Sequence, residues 1–264
     1  MFVREMKINF KNFLIWTLIL IGIFLVVFSM YPSIISSESV QSIDDFVNTL
    51  PEEMLKMFNF DISSIDSAFG WLKTEGFILV LLITGIYSGM LGSNILLKEE
   101  NDKTIEYLNS LPVTRKEIVL RKFFVGFIYI ILMILVLSVF NYIGLSLSGE
   151  FDKKMYLLLS ITPIFPSIVI YAFCLFISTF THKTKKTLGL SLGIVFISYF
   201  FNIISELSES TEFFKYISVF TLADLRNVIM NVSINNWIVL ISIVLTLIFT
   251  YLTILRYDNK ELIG

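Results

Sequence analysis

Charge is what this sequence most lacks. Only 16% of its 264 residues are Asp, Glu, Lys or Arg, while 56% are hydrophobic and the mean hydropathy is +0.81. Soluble domains carry about a quarter charged residues. A soluble chain of this length could build one or two cores, but it could not also hide several charge-free runs long enough to cross a bilayer. A single cysteine, Cys174, excludes an intramolecular disulfide; it lies in an apolar run and reads as a packing residue. The one histidine, His182, sits in a short basic segment, reads as a solvated loop residue, and leaves no metal-binding cluster. No Gly-x-x-x-x-Gly-Lys-Ser/Thr loop occurs, so the chain has no phosphate cradle of the usual kind and no nucleotide cofactor of its own is expected. The apolar runs hold no paired carboxylates and no nucleophile–base set, which argues against an intramembrane enzyme. Their lack of acids and bases also argues against a proton-coupled carrier.

What is present is six runs free of Asp, Glu, Lys and Arg: Phe13–Tyr31, Gly76–Leu97, Phe123–Gly149, Met155–Thr181, Thr187–Ser205 and Asn227–Leu255. Each can cross a hydrocarbon core of about 30 Å. The last is longer than a span needs, and its helix is expected to start near Asn236–Trp237, with Trp237 as an interfacial aromatic. These runs predict an all-α integral membrane protein with six transmembrane helices. Placing both termini inside puts fourteen of the twenty basic residues on the inner side, among them Arg4, Lys7, Lys11, Lys183, Lys185 and Lys186. The positive-inside rule therefore selects cytoplasmic termini. The outer loop Pro32–Glu75 is acidic, as that topology implies.

Finer features follow from spacing. At 100° per residue, Arg4, Lys7 and Lys11 share one side of a helix, and Val3, Met6 and Phe10 share another. This predicts an N-terminal amphipathic helix lying on the cytoplasmic leaflet and feeding into a retained first span. Gly85–Gly89–Ser93 and Gly189–Gly193 have the small-xxx-small spacing of close helix packing. Pro163 and Pro166 should kink or break the fourth span. Asn141, an amide within the third, is expected to bond across a helix interface. Phe213–Met230 is amphipathic and should form short helices at the outer face.

The loop between the second and third spans is the most informative stretch. Pro112 disfavours helix just before it, so a short helix from about Lys103 should end near Ser110 or Leu111. Thr114 and Glu117 then have the spacing of a capping box, with Val113 and Ile118 as a hydrophobic staple, and start the helix of the third span. Ile105 and Leu108 fall on one side of the short helix, with Tyr107 and Leu111 nearby and Glu106 offset. An exposed apolar stripe of this kind suits docking into a partner's groove.

This loop resembles the signature of the type-2 ATP-binding-cassette permeases. The residues that carry the resemblance are Glu99, Glu100, Thr104, Glu106, Leu108, Leu111, Pro112, Arg115 and Lys122, and the tail Leu255–Asp258 is similar to the basic-acidic ending common in the family. Many members have Gly just before the Thr, where this chain has Lys103. The resemblance implies a single permease domain over residues 1–264, with a cytoplasmic coupling helix between spans 2 and 3 and short re-entrant helices before span 6. It implies an exporter subunit of the cell membrane, with two copies of a separate ATPase subunit holding ATP and Mg, and a second permease copy or a related permease. The ATPase-coupling residues are then Glu99, Glu100, Thr104, Ile105, Glu106, Tyr107, Leu108, Leu111, Pro112 and Arg115. An amphiphilic substrate (a peptide, an antibiotic or a lipid-like molecule) suits the apolar, aromatic-rich spans. A non-transport membrane scaffold or sensor is the alternative, and a neighbouring ATPase gene would discriminate the two.

Overall fold

The structure, a computed structural model, describes residues 2–34, 67–106 and 112–262. Every regular element among them is helical. Six helical rods are long and apolar enough to cross a membrane. They are α1 (Phe2–Ile34), α2 (Ala68–Ile95), α4 (Arg115–Ser148), the pair α5 (Lys153–Ile161) and α6 (Ile164–Ser178), α7 (Thr184–Ser205) and α9 (Asn236–Asp258). A single turn, α3 (Lys98–Asn101), follows α2. An apolar solvent leaves each backbone amide no partner but its own chain, which is why such segments settle as helices despite many β-branched residues.

Helix ends follow local chemistry. Asn235 caps α9 by accepting from Trp237 N at 3.0 Å, so the last span starts at the expected position. The capping box at Thr114 is formed: Thr114 Oγ1 accepts from Glu117 N, and Glu117 Oε2 accepts from Thr114 N, each at 3.2 Å. Ile118 enters the core and Val113 packs against it. The fourth span breaks between Ile161 and Ile164, where Pro163 has no amide to donate. Pro166 is accommodated in the first turn of α6. In α2, a wider π turn at Leu72–Gly76 was not expected.

The N-terminal amphipathic helix expected on the leaflet is not a separate element. Residues 2–34 form one unbroken helix about 50 Å long. No Gly or Pro occurs before Gly22 to interrupt it. Its inward face at this end carries Glu5 and Asn9, both buried, while Val3 and Phe10 point outward.

Spans 2 and 4 are the most buried, and spans 1, 5 and 6 lie around them with most of their surface outward. That outer surface is Leu, Ile, Val and Phe: Leu14, Leu18, Leu25, Phe200 and Leu247 are all exposed. A patch this large is suited to lipid and not to water. Spans 2 and 4 approach at Gly92, where an added Cβ would sit 2.6 Å from the carbonyl oxygen of Tyr171 and 3.1 Å from Leu175 N. The small-residue ladder of span 2 is used differently from its sequence spacing. Gly85 receives the ring of Phe220, and Gly89 receives Val195 of span 5. Gly189 and Gly193, expected to pack closely, have nothing within 4 Å of a Cβ added there. Asn141 is buried, and its Oδ1 has no hydrogen-bond partner among the described residues, so the expected interhelix bond is not made by that oxygen. Cys174 is buried between spans, as a packing residue.

Before span 6 the chain is helical in pieces: 3-10 turns at Glu209–Tyr216 and Phe220–Ala223, then α8 (Leu225–Asn231). Ser218 ties this segment to span 5, its Oγ donating to Ser198 O at 2.7 Å while Ser198 Oγ accepts from Val219 N at 2.8 Å. Phe220 is buried against Gly85, Ile170 and Tyr199.

Candidate functional site: a buried charge network at one end of the bundle

Span 3 carries two cations seven residues apart, Arg115 and Lys122. Seven residues are two turns, about 10.5 Å along one side of a helix. Each meets the C-terminal end of another span, where the last carbonyls have no partner within their own helix. Lys122 donates to the carbonyl of Ile95, the last residue of α2, at 2.5 Å. Arg115 donates from one terminal nitrogen to the carbonyls of Tyr257, Asp258 and Lys260 at 3.2, 2.7 and 2.8 Å, closing the end of α9. Cations also suit the negative pole of a helix C-terminus.

Both anions of the Glu99–Glu100 pair turn inward. Glu99 accepts from Lys122 Nζ through both oxygens, at 2.7 and 2.8 Å. Glu5, from the N-terminal helix, lies 3.6 Å from the same ammonium. Lys122 is fully buried, and Glu5 and Glu99 are nearly so. Glu100 accepts from Lys260 Nζ at 2.5 Å and meets His182 Nδ1 at 2.7 Å. Burial lowers the Lys260 ammonium from its ordinary range, and its hydrogen bond to Glu100 opposes that shift. Span 4 joins through Tyr171, whose hydroxyl donates to the carbonyl of Lys122 at 2.9 Å. Tyr171 also fills the space over Gly126, where a Cβ would sit 2.3 Å from its ring. Tyr129 donates to the carbonyl of Met6 at 2.5 Å. Asn101 donates to Thr184 Oγ1, the first residue of α7. The N-terminal helix, both ends of the loop between spans 2 and 3, the turn between spans 4 and 5, and the C-terminus thus meet at one end of the bundle.

The loop itself is only partly as expected. Lys103 does not begin a helix; it adopts the left-handed conformation, with φ 54°. Thr104 N bonds back to Glu99 O at 2.8 Å, closing α3 with the 6→1 bond of a Schellman motif. The position is one that glycine occupies without strain. Ile105 and Glu106 are helical, and the rest of the expected short helix, residues 107–111, lies outside the described residues. The Ile105 side chain is 2% exposed and packs in the chain's own core. The apolar group next to the core finds burial within the chain first. Thr104 is half-buried, and Glu106 and Pro112 are exposed. Tyr107, Leu108 and Leu111 lie outside the described residues. Glu99, Glu100 and Arg115, expected to couple to the ATPase, hold the loop's two flanks to the spans.

Three participants were missed. Glu5 reads as one acid in a basic flank, Lys260 as one more inner charge, and His182 as solvated. His182 is half exposed, yet it holds Glu100. Nothing local marks these residues, because their partners are 117, 160 and 82 positions away. The signal that was available is Lys122, adjacent to the charge-free run of span 3 and two turns from Arg115.

Comparison with known families agrees with the six-span architecture. A family model described as ABC-2 family transporter protein matches residues 4–262. The chain belongs to that family: it is a multi-pass permease subunit of an ATP-binding-cassette transporter. No curated protein is matched by it.

Proposed function

We propose that this chain is the membrane subunit of an ATP-driven exporter, powered by a separate ATPase subunit that binds the loop between spans 2 and 3. The observation that carries the proposal is the arrangement of that loop. Both its flanks are tied by buried ion pairs and helix-end hydrogen bonds to spans 1, 2, 3 and 6, so a force applied to it reaches several spans at once. The excess of basic residues at this end favours its placement in the cytoplasm. In this reading the partner, present in two copies, holds ATP and Mg, and a second permease completes the transport path; the lack of a phosphate loop in this chain is in keeping with that division. An amphiphilic cargo suits the groove between spans 1, 2 and 5, where Asn9, Asn94 and Thr184 stand beside Trp16, Leu91 and Leu188.

The test is replacement of Leu108 by Asp. Introducing an unpaired charge into an apolar contact costs several kcal/mol. The expected result is a normally inserted protein that no longer co-purifies with, or stimulates, its ATPase. Glu106→Ala should do less, because a rim charge mainly affects orientation and association rate. Full complex formation and transport in the Leu108→Asp protein would rule out this docking site.

A further inference from the structure

The C-terminal residues after span 6 do more than end a helix. Carbonyls at a helix end facing water are satisfied by water, and a lysine two residues past the helix is normally solvated. Here three such carbonyls are taken by the one guanidinium of Arg115, and Lys260 is 7% exposed with its ammonium on Glu100. Leu262 packs against the main core just beyond. Glu100 stands before the loop between spans 2 and 3, and Arg115 stands after it. Residues 257–260 therefore grip the loop on both sides. The two grips use different chemistry, a buried ion pair on one side and backbone carbonyls on the other, and they converge on four consecutive residues.

We infer that the C-terminal residues 257–260 act as a strap that binds both flanks of the loop to span 6, so that a load on the loop is delivered to span 6 directly and not only through span 3. Arg115, Glu100 and Lys260 are the positioning residues of this device. The inference rests on the coupling role proposed for the loop. It adds a defined route for the movement and assigns that route to a tail that would otherwise be a passive end. Span 6 is well placed to receive it, since it packs along both span 3 and span 4. The second link through His182 holds Glu100 in place when Lys260 is altered, so the strap can be cut without stranding the carboxylate.

The experiment uses the full chain in lipid nanodiscs, alone and as the complex recovered from its native membrane by a tag on this chain. The variants are Lys260→Gln with Arg115→Gln, Lys260→Gln alone as the milder change, and Lys260→Arg as the conservative control. In the chain alone, hydrogen exchange is followed in peptides covering 98–106 and 112–118. Exchange should rise about tenfold in the double variant, less in Lys260→Gln, and stay near wild type in Lys260→Arg. In the complex, spin labels on cysteines at Ser148 and Asn236 report the outer ends of spans 3 and 6; the native Cys174 is buried. Trapping with ATP and vanadate should change that distance in the wild type. Lys260→Gln should lessen the change while keeping its bound ATPase and its hydrolysis. Unchanged exchange in both glutamine variants overturns the strap itself. Raised exchange with an intact nucleotide-dependent distance change overturns the route to span 6. A wild-type chain that recovers no ATPase overturns the coupling role, and the exchange measurements then still decide whether the tail holds the loop.

Discussion

Replacing Lys122 by Met tests the centre of the network. The side chain is fully buried, and methionine keeps its length while removing the charge. Three hydrogen bonds vanish, two to Glu99 and one to the carbonyl of Ile95, together with the ion pair to Glu5. Two carboxylates, Glu5 and Glu99, then share a buried site that has lost the Lys122 ammonium. Removing one partner of a buried pair costs about 3–5 kcal/mol. An independent bound comes from protonation, since a stranded carboxylate takes up a proton once that is the cheaper course. For an ordinary carboxyl at pH 7 this costs about 3.7 kcal/mol. The two figures agree, so the expected loss is about 4 kcal/mol. That corresponds to a fall in Tm on the order of 10 °C for a chain of this size. The pH dependence has a definite sign. In the variant the stranded carboxyl titrates above its unfolded value, so stability falls as pH rises and is regained as pH falls toward the ordinary carboxylate range. At pH 5 the deficit should shrink to about 1 kcal/mol. Adding Glu99→Gln should recover much of the loss at pH 7. The assay is thermal unfolding in nanodiscs at pH 7 and pH 5, read by tryptophan fluorescence. A loss under about 1 kcal/mol at pH 7, or a deficit that does not shrink with either remedy, would refute the claim that Lys122 neutralises buried acids.

Three further outcomes are expected. Lys103→Gly should be neutral or stabilising by up to about 1 kcal/mol, because glycine relieves the left-handed residue, whereas the β-branched Lys103→Val should destabilise the turn; unfolding of the two variants side by side reads the contrast. Gly92→Ala should cost about 1–3 kcal/mol by pressing a methyl on the Tyr171 carbonyl, while Gly189→Ala, with nothing within 4 Å, should cost nothing measurable by the same assay. On intact cells, cysteines at Asp45 and Glu209 should react with an impermeant reagent and those at Lys103 and Lys185 should not; the reverse pattern would invert the orientation.

The six spans were legible because bilayer thickness and the cost of intramembrane charge act on any run of about twenty residues, whatever surrounds it. For the same reason the start of span 6 at Asn236, the break at Pro163 and the capping box at Thr114 could be read in place: each is settled by atoms within a few residues. The loop motif was legible as a pattern, but the contacts its flanks make within the chain were not. Ile105 faces inward, and Glu99, Glu100 and Arg115 hold the chain's own helices. The Lys103 position, which breaks the family pattern, proves to be the left-handed turn where glycine would fit. The network itself was beyond local reading. Glu5, Lys122, His182 and Lys260 meet only because an even number of crossings brings both termini and two loops to one end of the bundle. Hydropathy decides which segments enter the membrane, since it sums over one stretch of chain. Which charges neutralise one another is decided by the packing of helices distant in sequence, because ion pairs require a separation of a few ångströms in space and are indifferent to separation along the chain.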